Sequence, residues 1–114
     1  MNRVKFQKFL NRDLRCWHCG STGDDLVPHH RLNRGMGGSR LADRPANIIV
    51  MCSGFNQAME SDPNAQFNAQ LNGWKLTTGV DPSFAPVLDV WDGNWYVLDD
   101  EFNRFRLMES KEWE

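Results

Sequence analysis

The chain has 114 residues, of which 40% are hydrophobic and 25% are charged, and its net charge is −2. This length and composition predict one ordinary globular domain, residues 1–114. No segment is apolar enough to cross a membrane or to act as a signal peptide, and three cysteines do not suggest a secreted disulfide scaffold. We therefore expect a cytoplasmic protein without membrane contact.

The charge is unevenly divided along the chain. Residues 1–46 contain nine Lys/Arg against four Asp/Glu, and residues 47–114 contain four against eleven. A basic N-terminal part can meet phosphate groups while the whole protein stays acidic. Two solvated faces of opposite charge would give the same pattern, so charge alone leaves both interpretations open.

The first half predicts a helix, a knuckle and two strands. Apolar residues recur near helical spacing between Phe6 and Leu14, and the CWHCG sequence that follows predicts a tight turn. Residues 26–30, LVPHH, predict a short strand whose proline suits an edge, and residues 48–51, IIVM, predict a buried strand. Between them, too many glycines and arginines for regular structure indicate a functional loop.

The second half predicts two helices and then strands. Ser53 is expected to cap the first helix, and Asp62 with Pro63 begins the second, which Gly73 ends. Strand-like segments follow at 74–76, 85–91 and 95–100, with a hairpin turn at 92–93, and residues 104–108 predict one more strand. The last residues, 109–114, are expected to fray. The fold class is therefore α+β.

Polar side chains cluster where the first strand ends. His29 and His30 close that strand, Asn47 precedes the second strand, and Asn56 lies in the first turn of the helix after it. This order of strand, loop, strand and helix predicts a cation pocket between the hairpin and the helix. A lone buried histidine is more often a packing residue, but a histidine pair before a glycine-rich loop favours a site.

The ordered set CWHCG, VPHHR, GMGG, PANIIVMC and FNQAME, over residues 16–62, resembles the HNH (ββα-metal) endonuclease family. The whole chain also resembles small HNH proteins encoded by bacteriophages. The resemblance implies a ββα-metal core at about 16–62, preceded by an N-terminal helix. A helix and a small antiparallel sheet would extend it over about 63–110. It also implies metal-dependent hydrolysis of DNA phosphodiester bonds.

The resemblance assigns roles residue by residue. His30 matches the general base, and Asn47 matches the residue that pins the loop and holds the base. His29 and Asn56 match the ligands of the divalent metal. Because His29 stands where an acid is common, Mn²⁺, Ni²⁺ or Zn²⁺ is favoured over Mg²⁺.

Three cysteines, Cys16, Cys19 and Cys52, match three of the four ligands of a structural zinc found in many family members. Phe55 stands where the fourth cysteine is usual. His18 could serve instead, but it lies inside the knuckle, where reaching the same ion is expected to be strained. The cysteines could equally be small reduced core residues, so the zinc stays an open question.

Charged residues flank the expected site. Glu60 lies one turn after Asn56 on the same helix face, where it could support the metal or simply face solvent. Arginine forks fit phosphate oxygens in pairs. Four arginines near the glycine-rich loop are candidate nucleic-acid contacts, although one or two are expected to be plain surface charges: Arg31, Arg34, Arg40 and Arg44.

Two other functions stay open. One is a catalytically weak or inactive HNH-fold phage protein that binds a host protein or nucleic acid. The other is a zinc-ribbon nucleic-acid binder without catalysis. Metal binding by His29 and Asn56 distinguishes a nuclease from the inactive HNH-fold protein. The zinc content of the purified protein tests the zinc-ribbon alternative.

Overall fold

A computed structural model of the chain describes residues 1–33 and 42–107. Within these residues the predicted α+β class is confirmed, since α-helices alternate with two antiparallel sheets. The elements in chain order are α1 (Arg3–Asp13), β1 (Leu26–His30), a 3₁₀ turn (Pro45–Asn47), β2 (Ile48–Cys52), α2 (Ser53–Ser61), α3 (Pro63–Leu71), β3 (Val87–Asp89), β4 (Asn94–Leu98) and β5 (Arg104–Arg106).

β1 and β2 form an antiparallel pair at the centre of the molecule. Its register places Leu26 opposite Cys52 and His30 opposite Ile48. Alternate residues of β2 belong to two different apolar clusters, one against α1 and one in the main core. A strand buried on both faces needs apolar residues at every position, which explains the uninterrupted IIVM sequence.

The outer edge of β2 is covered by α1 and by the knuckle that follows it. The Asp13 carboxylate accepts a hydrogen bond from the backbone N–H of Val50 at 3.0 Å. Arg12 donates to the carbonyl oxygen of Ile48 at 2.6 Å, and the backbone N–H of Trp17 donates to that of Val50 at 3.1 Å. These contacts occupy backbone groups that an edge strand would expose.

The C-terminal sheet has the strand order β3-β4-β5. Its first hairpin turns at residues 92–93, as predicted, with Gly93 at a φ of +76°. The backbone N–H of Val90 donates to the Trp17 carbonyl at 3.1 Å, and the Tyr96 ring meets the Trp17 ring edge-on. The sheet therefore docks on the knuckle.

The observed ends of α2 and α3 can be compared with the capping residues predicted from the sequence. The Asp62 side chain accepts from the N–H of Asn64 at 2.9 Å and caps α3, as predicted. Gly73 follows that helix with a φ of +78°, and a Cβ there would meet the Pro86 carbonyl. The predicted Ser53 cap is wrong: Ser53 is the first residue of α2, and the cap position belongs to Cys52 without a side-chain hydrogen bond.

Residues 74–76, predicted as a strand, form an irregular connection, because the backbone N–H of Leu76 pairs with Arg31 rather than with a neighbouring strand. No helix within residues 1–33 and 42–107 is long and apolar enough to cross a membrane. The centre of the predicted glycine-rich loop, 34–41, and the predicted frayed end, 109–114, lie outside the described residues.

Candidate functional site

The end of β1 and the start of α2 meet at a cavity of about 310 Å³. α2 follows β2 directly, and β2 pairs with β1, so the start of the helix comes to lie beside the end of β1. There the Nδ1 atom of His29 lies 3.0 Å from the Oδ1 atom of Asn56. The described residues that line the cavity are Pro28, His29, His30, Asn33, Asn56, Met59, Glu60 and Lys75.

The orientation of the His29 ring is fixed from behind. Its Nε2 atom lies 2.6 Å from the carbonyl oxygen of Trp74, which can only accept, so Nε2 carries the hydrogen and Nδ1 presents a lone pair to Asn56. Burial lowers the pKa of His29 to about 4, and the charge of Lys75 acts in the same direction. The ring is therefore neutral at neutral pH, as metal ligation requires.

The contact between His29 and Asn56 fits a shared cation. With the amide oxygen facing the ring, two acceptor atoms stand 3.0 Å apart. Ligand atoms about 2.1 Å from one octahedral ion, at right angles to each other, lie about 3.0 Å apart. If the amide were turned by half a rotation, its N–H would donate to Nδ1 and the pair would be a structural hydrogen bond.

Glu60 and Lys75 bring opposite charges to the cavity wall. Glu60 is exposed and supplies the only carboxylate among the described lining residues. Lys75 was not singled out in the sequence, because a lone lysine after a helix has no distinguishing spacing. Together they offer a carboxylate to a cation and an ammonium group to an anion.

His30 lines the same cavity and contacts an acid that the sequence did not predict. Its Nε2 atom lies 2.9 Å from Oδ1 of Asp43, and the two side chains are 22% and 33% exposed. Water can therefore reach the imidazole, which a group that deprotonates water needs. Asp43 lies in the irregular segment before β2, where no periodicity or motif marks it.

Asn47 is fully buried and cross-links the two ends of the loop. Its Oδ1 atom accepts from the backbone N–H of Leu32 at 2.8 Å, and its Nδ2 donates to the carbonyl oxygens of Leu32 and Ala42 at 3.2 and 2.8 Å. The Asn47 carbonyl also accepts from the backbone N–H of Arg31. The side chain thus joins the residues on either side of 34–41.

The expectation that Arg31 contacts nucleic acid is wrong. Its side chain is fully buried, and its guanidinium donates to four backbone carbonyl oxygens at 2.8–3.0 Å. Burial lowers the pKa of Arg31 to about 9, which leaves it charged near neutral pH. This residue is a structural clamp and has no surface to offer to a phosphate. Its acceptors are the carbonyls of Ala46, Gly73, Pro82 and Ala85.

Arg44 is also engaged within the protein. It bonds to Asp100 at 2.9 Å and to Asp81 at 3.2 Å, and its side chain is 25% exposed. Two carboxylates already neutralise this guanidinium, so a phosphate would have to compete with them. Arg34 and Arg40, the other two arginines proposed to bind nucleic acid, lie outside the described residues.

A second group of side chains could hold a metal ion beneath the knuckle. Cys16, His18, Cys19 and Cys52 each bring one ligand atom to within 4.8 Å of the others. Tetrahedral zinc with thiolates at about 2.3 Å has ligand atoms about 3.8 Å apart, so small adjustments would close the site. Three sulfurs and one imidazole are a usual ligand set for structural zinc.

The surroundings of Cys16 would suit a thiolate ligand. Its Sγ atom accepts hydrogen bonds from the backbone N–H groups of Cys52 at 3.1 Å and His18 at 3.3 Å. Burial raises the pKa of Cys16 to about 12, so without a cation the sulfur stays protonated. A bound cation would supply the charge that stabilises the thiolate.

His18 brings a ring nitrogen to within 4.8 Å of the three sulfurs, although it lies inside the knuckle. Its ring stacks on Phe55, with centroids 3.7 Å apart and an interplanar angle of 9°. Its Nδ1 atom is buried and has no hydrogen-bond partner among the described residues, and burial lowers the pKa of His18. Phe55, at the position where a cysteine is usual, thus supports a histidine that could be the fourth ligand.

Comparisons with protein-family models, with curated proteins and with solved structures gave no match to this chain. Any assignment of function therefore depends on the residues and the geometry described above.

Proposed function

We propose that the protein is a metal-dependent DNA endonuclease of the HNH type, with its catalytic metal between His29 and Asn56. The observation that carries this proposal is the 3.0 Å approach of His29 Nδ1 to Asn56 Oδ1 at a cavity that His30 also lines. The order strand, strand, helix around that cavity also supports it, since this is the order of a ββα-metal core. His29 and Asn56, the proposed metal ligands, and His30, the proposed base, line one cavity.

The roles of the residues follow from their contacts. His30 would accept the proton of the attacking water, because its imidazole lines the cavity and is open to solvent. The Trp74 carbonyl keeps the Nδ1 lone pair of His29 turned toward Asn56, and Asn47 ties Leu32 to Ala42. Lys75 would attract the scissile phosphate. When bound, the divalent metal supplies positive charge to the phosphate and the leaving oxygen.

The cluster of Cys16, His18, Cys19 and Cys52 would hold a structural zinc in this protein. A closed zinc site of four protein ligands contributes folding free energy to a small domain. The knuckle carries part of the main core through Trp17 and supports the C-terminal sheet. The zinc would therefore stabilise the scaffold and take no part in hydrolysis.

The experiment is cleavage of supercoiled plasmid by the full chain with Mn²⁺, Ni²⁺, Mg²⁺ or no metal. We expect nicking with Mn²⁺ or Ni²⁺ to be faster than with Mg²⁺, because the ligands are an imidazole and an amide. His30→Ala should slow cleavage by a factor on the order of 10²–10⁴, whereas Asn68→Ala, on the exposed side of α3, should not. Metal-independent rates, or a His30→Ala variant as fast as the parent, would overturn the proposal.

A binding protein without catalysis is the second candidate. The burial of Arg31 and the pairing of Arg44 favour it, since one of the four arginines expected to hold a nucleic acid is inaccessible and another already has two carboxylate partners. In that case the cavity would bind no divalent metal, and a scaffold with its structural zinc would present its surface to a partner.

A further inference from the structure

The contact between His30 and Asp43 determines which nitrogen of the imidazole is free. Nε2 of His30 lies 2.9 Å from Oδ1 of Asp43. A carboxylate accepts hydrogen bonds and donates none, so a neutral His30 ring in this contact must carry its hydrogen on Nε2. The lone pair of the ring is then on Nδ1.

We propose that Asp43 is a positioning residue that fixes His30 in the Nε2–H tautomer, so that Nδ1 is the atom that takes the proton from water. This inference rests on the proposed nuclease function for its catalytic meaning. Asp43 itself would touch neither substrate nor metal; it would act through the imidazole ring. In enzymes that pair a histidine base with an acid, loss of the acid allows the wrong tautomer and slows the reaction strongly.

The chain holds Asp43 in place through both of its neighbours. The carbonyl of Ala42 accepts from Nδ2 of the buried Asn47 at 2.8 Å. The guanidinium of Arg44 bonds to Asp81 and Asp100. The backbone on either side of Asp43 is thus anchored to other elements, and its carboxylate meets the ring from a fixed position. A carboxylate tethered in this way can orient a ring, whereas a surface acid on an untethered loop could not. The anchoring therefore agrees with a positioning role.

The test measures the tautomer directly. Long-range ¹H–¹⁵N correlation spectra of the labelled, zinc-loaded full chain distinguish the Nε2–H form of a neutral ring from the Nδ1–H form. We expect the parent His30 to be the Nε2–H form. In Asp43→Asn the amide can donate to Nε2, so the Nδ1–H form should become populated. Asp24→Asn, an exposed acid in the turn before β1, is the matched control and should leave His30 unchanged.

Cleavage kinetics give the second readout. Asp43→Asn should lower kcat by a factor on the order of 10²–10⁴ with KM within about twofold, because the substrate contacts are untouched. An Nδ1–H tautomer in the parent would overturn the proposal even if Asp43→Asn failed to fold. Parental kcat in a folded Asp43→Asn variant would also overturn it. A parent that cleaves no DNA with any metal contradicts the nuclease function instead, and the spectra still decide the role of Asp43 in fixing the ring.

Discussion

His29 donates a hydrogen bond from Nε2 to the carbonyl oxygen of Trp74 over 2.6 Å. The contact ties strand β1 to the segment after α3, and Arg31 holds the same segment by bonding to the carbonyl of Gly73. A backbone carbonyl is an acceptor that no side-chain substitution removes. The direction of the His29 lone pair, toward Asn56, is therefore built into the fold.

The first prediction concerns pH. The pKa of His29 is about 4 in the folded chain because of burial, and about 6.5 in an unfolded chain. The unfolded state therefore binds the proton first, so this residue's contribution to stability is complete above about pH 6.5 and is lost as the pH falls toward 4. Between about pH 7 and pH 5 the parent should lose about 2 kcal/mol from this residue.

Urea unfolding of the zinc-loaded protein without further metal measures this loss. His29→Gln, which is neutral at every pH, should show a smaller loss between the same two pH values. Equal losses in parent and variant would mean that the folded ring binds protons as an exposed histidine does.

The second prediction concerns His18. Purified protein should hold one zinc per chain, and His18→Ala should weaken its zinc affinity at least about a hundredfold, since even indirect supports of a metal ligand are worth 10- to 100-fold. Competition with a chromophoric chelator measures the affinity. His30→Ala is the control, because it removes a histidine outside the cluster. Protein that contains no zinc, or a His18→Ala variant with parental affinity, contradicts the ligand set.

The third prediction concerns the buried guanidinium. Arg31→Lys keeps the charge but cannot reach four carbonyl oxygens, so at least one acceptor would be left unpaired in the interior. We expect the free energy of unfolding in urea to fall by at least about 2 kcal/mol, with no change for Arg3→Lys at the exposed start of α1. If Arg31→Lys kept parental stability but lost DNA affinity, Arg31 would have to be reassigned to phosphate binding.

Local rules made much of the fold predictable from sequence. The Asp62–Pro63 start of α3 and the turn at 92–93 depend on capping and turn chemistry within a few residues, and both are present. The strand-like 74–76 segment shows the limit. Trp74 in this segment is buried by tertiary packing. The backbone N–H of Leu76 pairs with the carbonyl of Arg31 rather than with a strand.

The contacts of the candidate site could be predicted from sequence only where the spacing of motif residues determines them. His29 and Asn56 meet because the hairpin register and the following helix set their positions. Arg31 looked like the other arginines, since its carbonyl partners lie 15 to 54 residues away in the chain. The contacts of Asp43 and His18 could not be predicted from the sequence. An acid in a loop has no periodicity that marks it, and the direction of the His18 side chain depends on the turn of the knuckle.

The most direct test of the central claim is calorimetric titration of the zinc-loaded full chain with Mn²⁺, for the parent, His29→Ala and Asn56→Ala, with Asn68→Ala as the matched control. Mn²⁺ prefers oxygen and nitrogen donors, so it should not displace zinc from the sulfur-rich cluster. We predict one Mn²⁺ per chain in the parent and the control, and at least about tenfold weaker binding in both substituted proteins. A parent that binds no Mn²⁺, or binding that neither substitution weakens, would contradict the proposed catalytic metal.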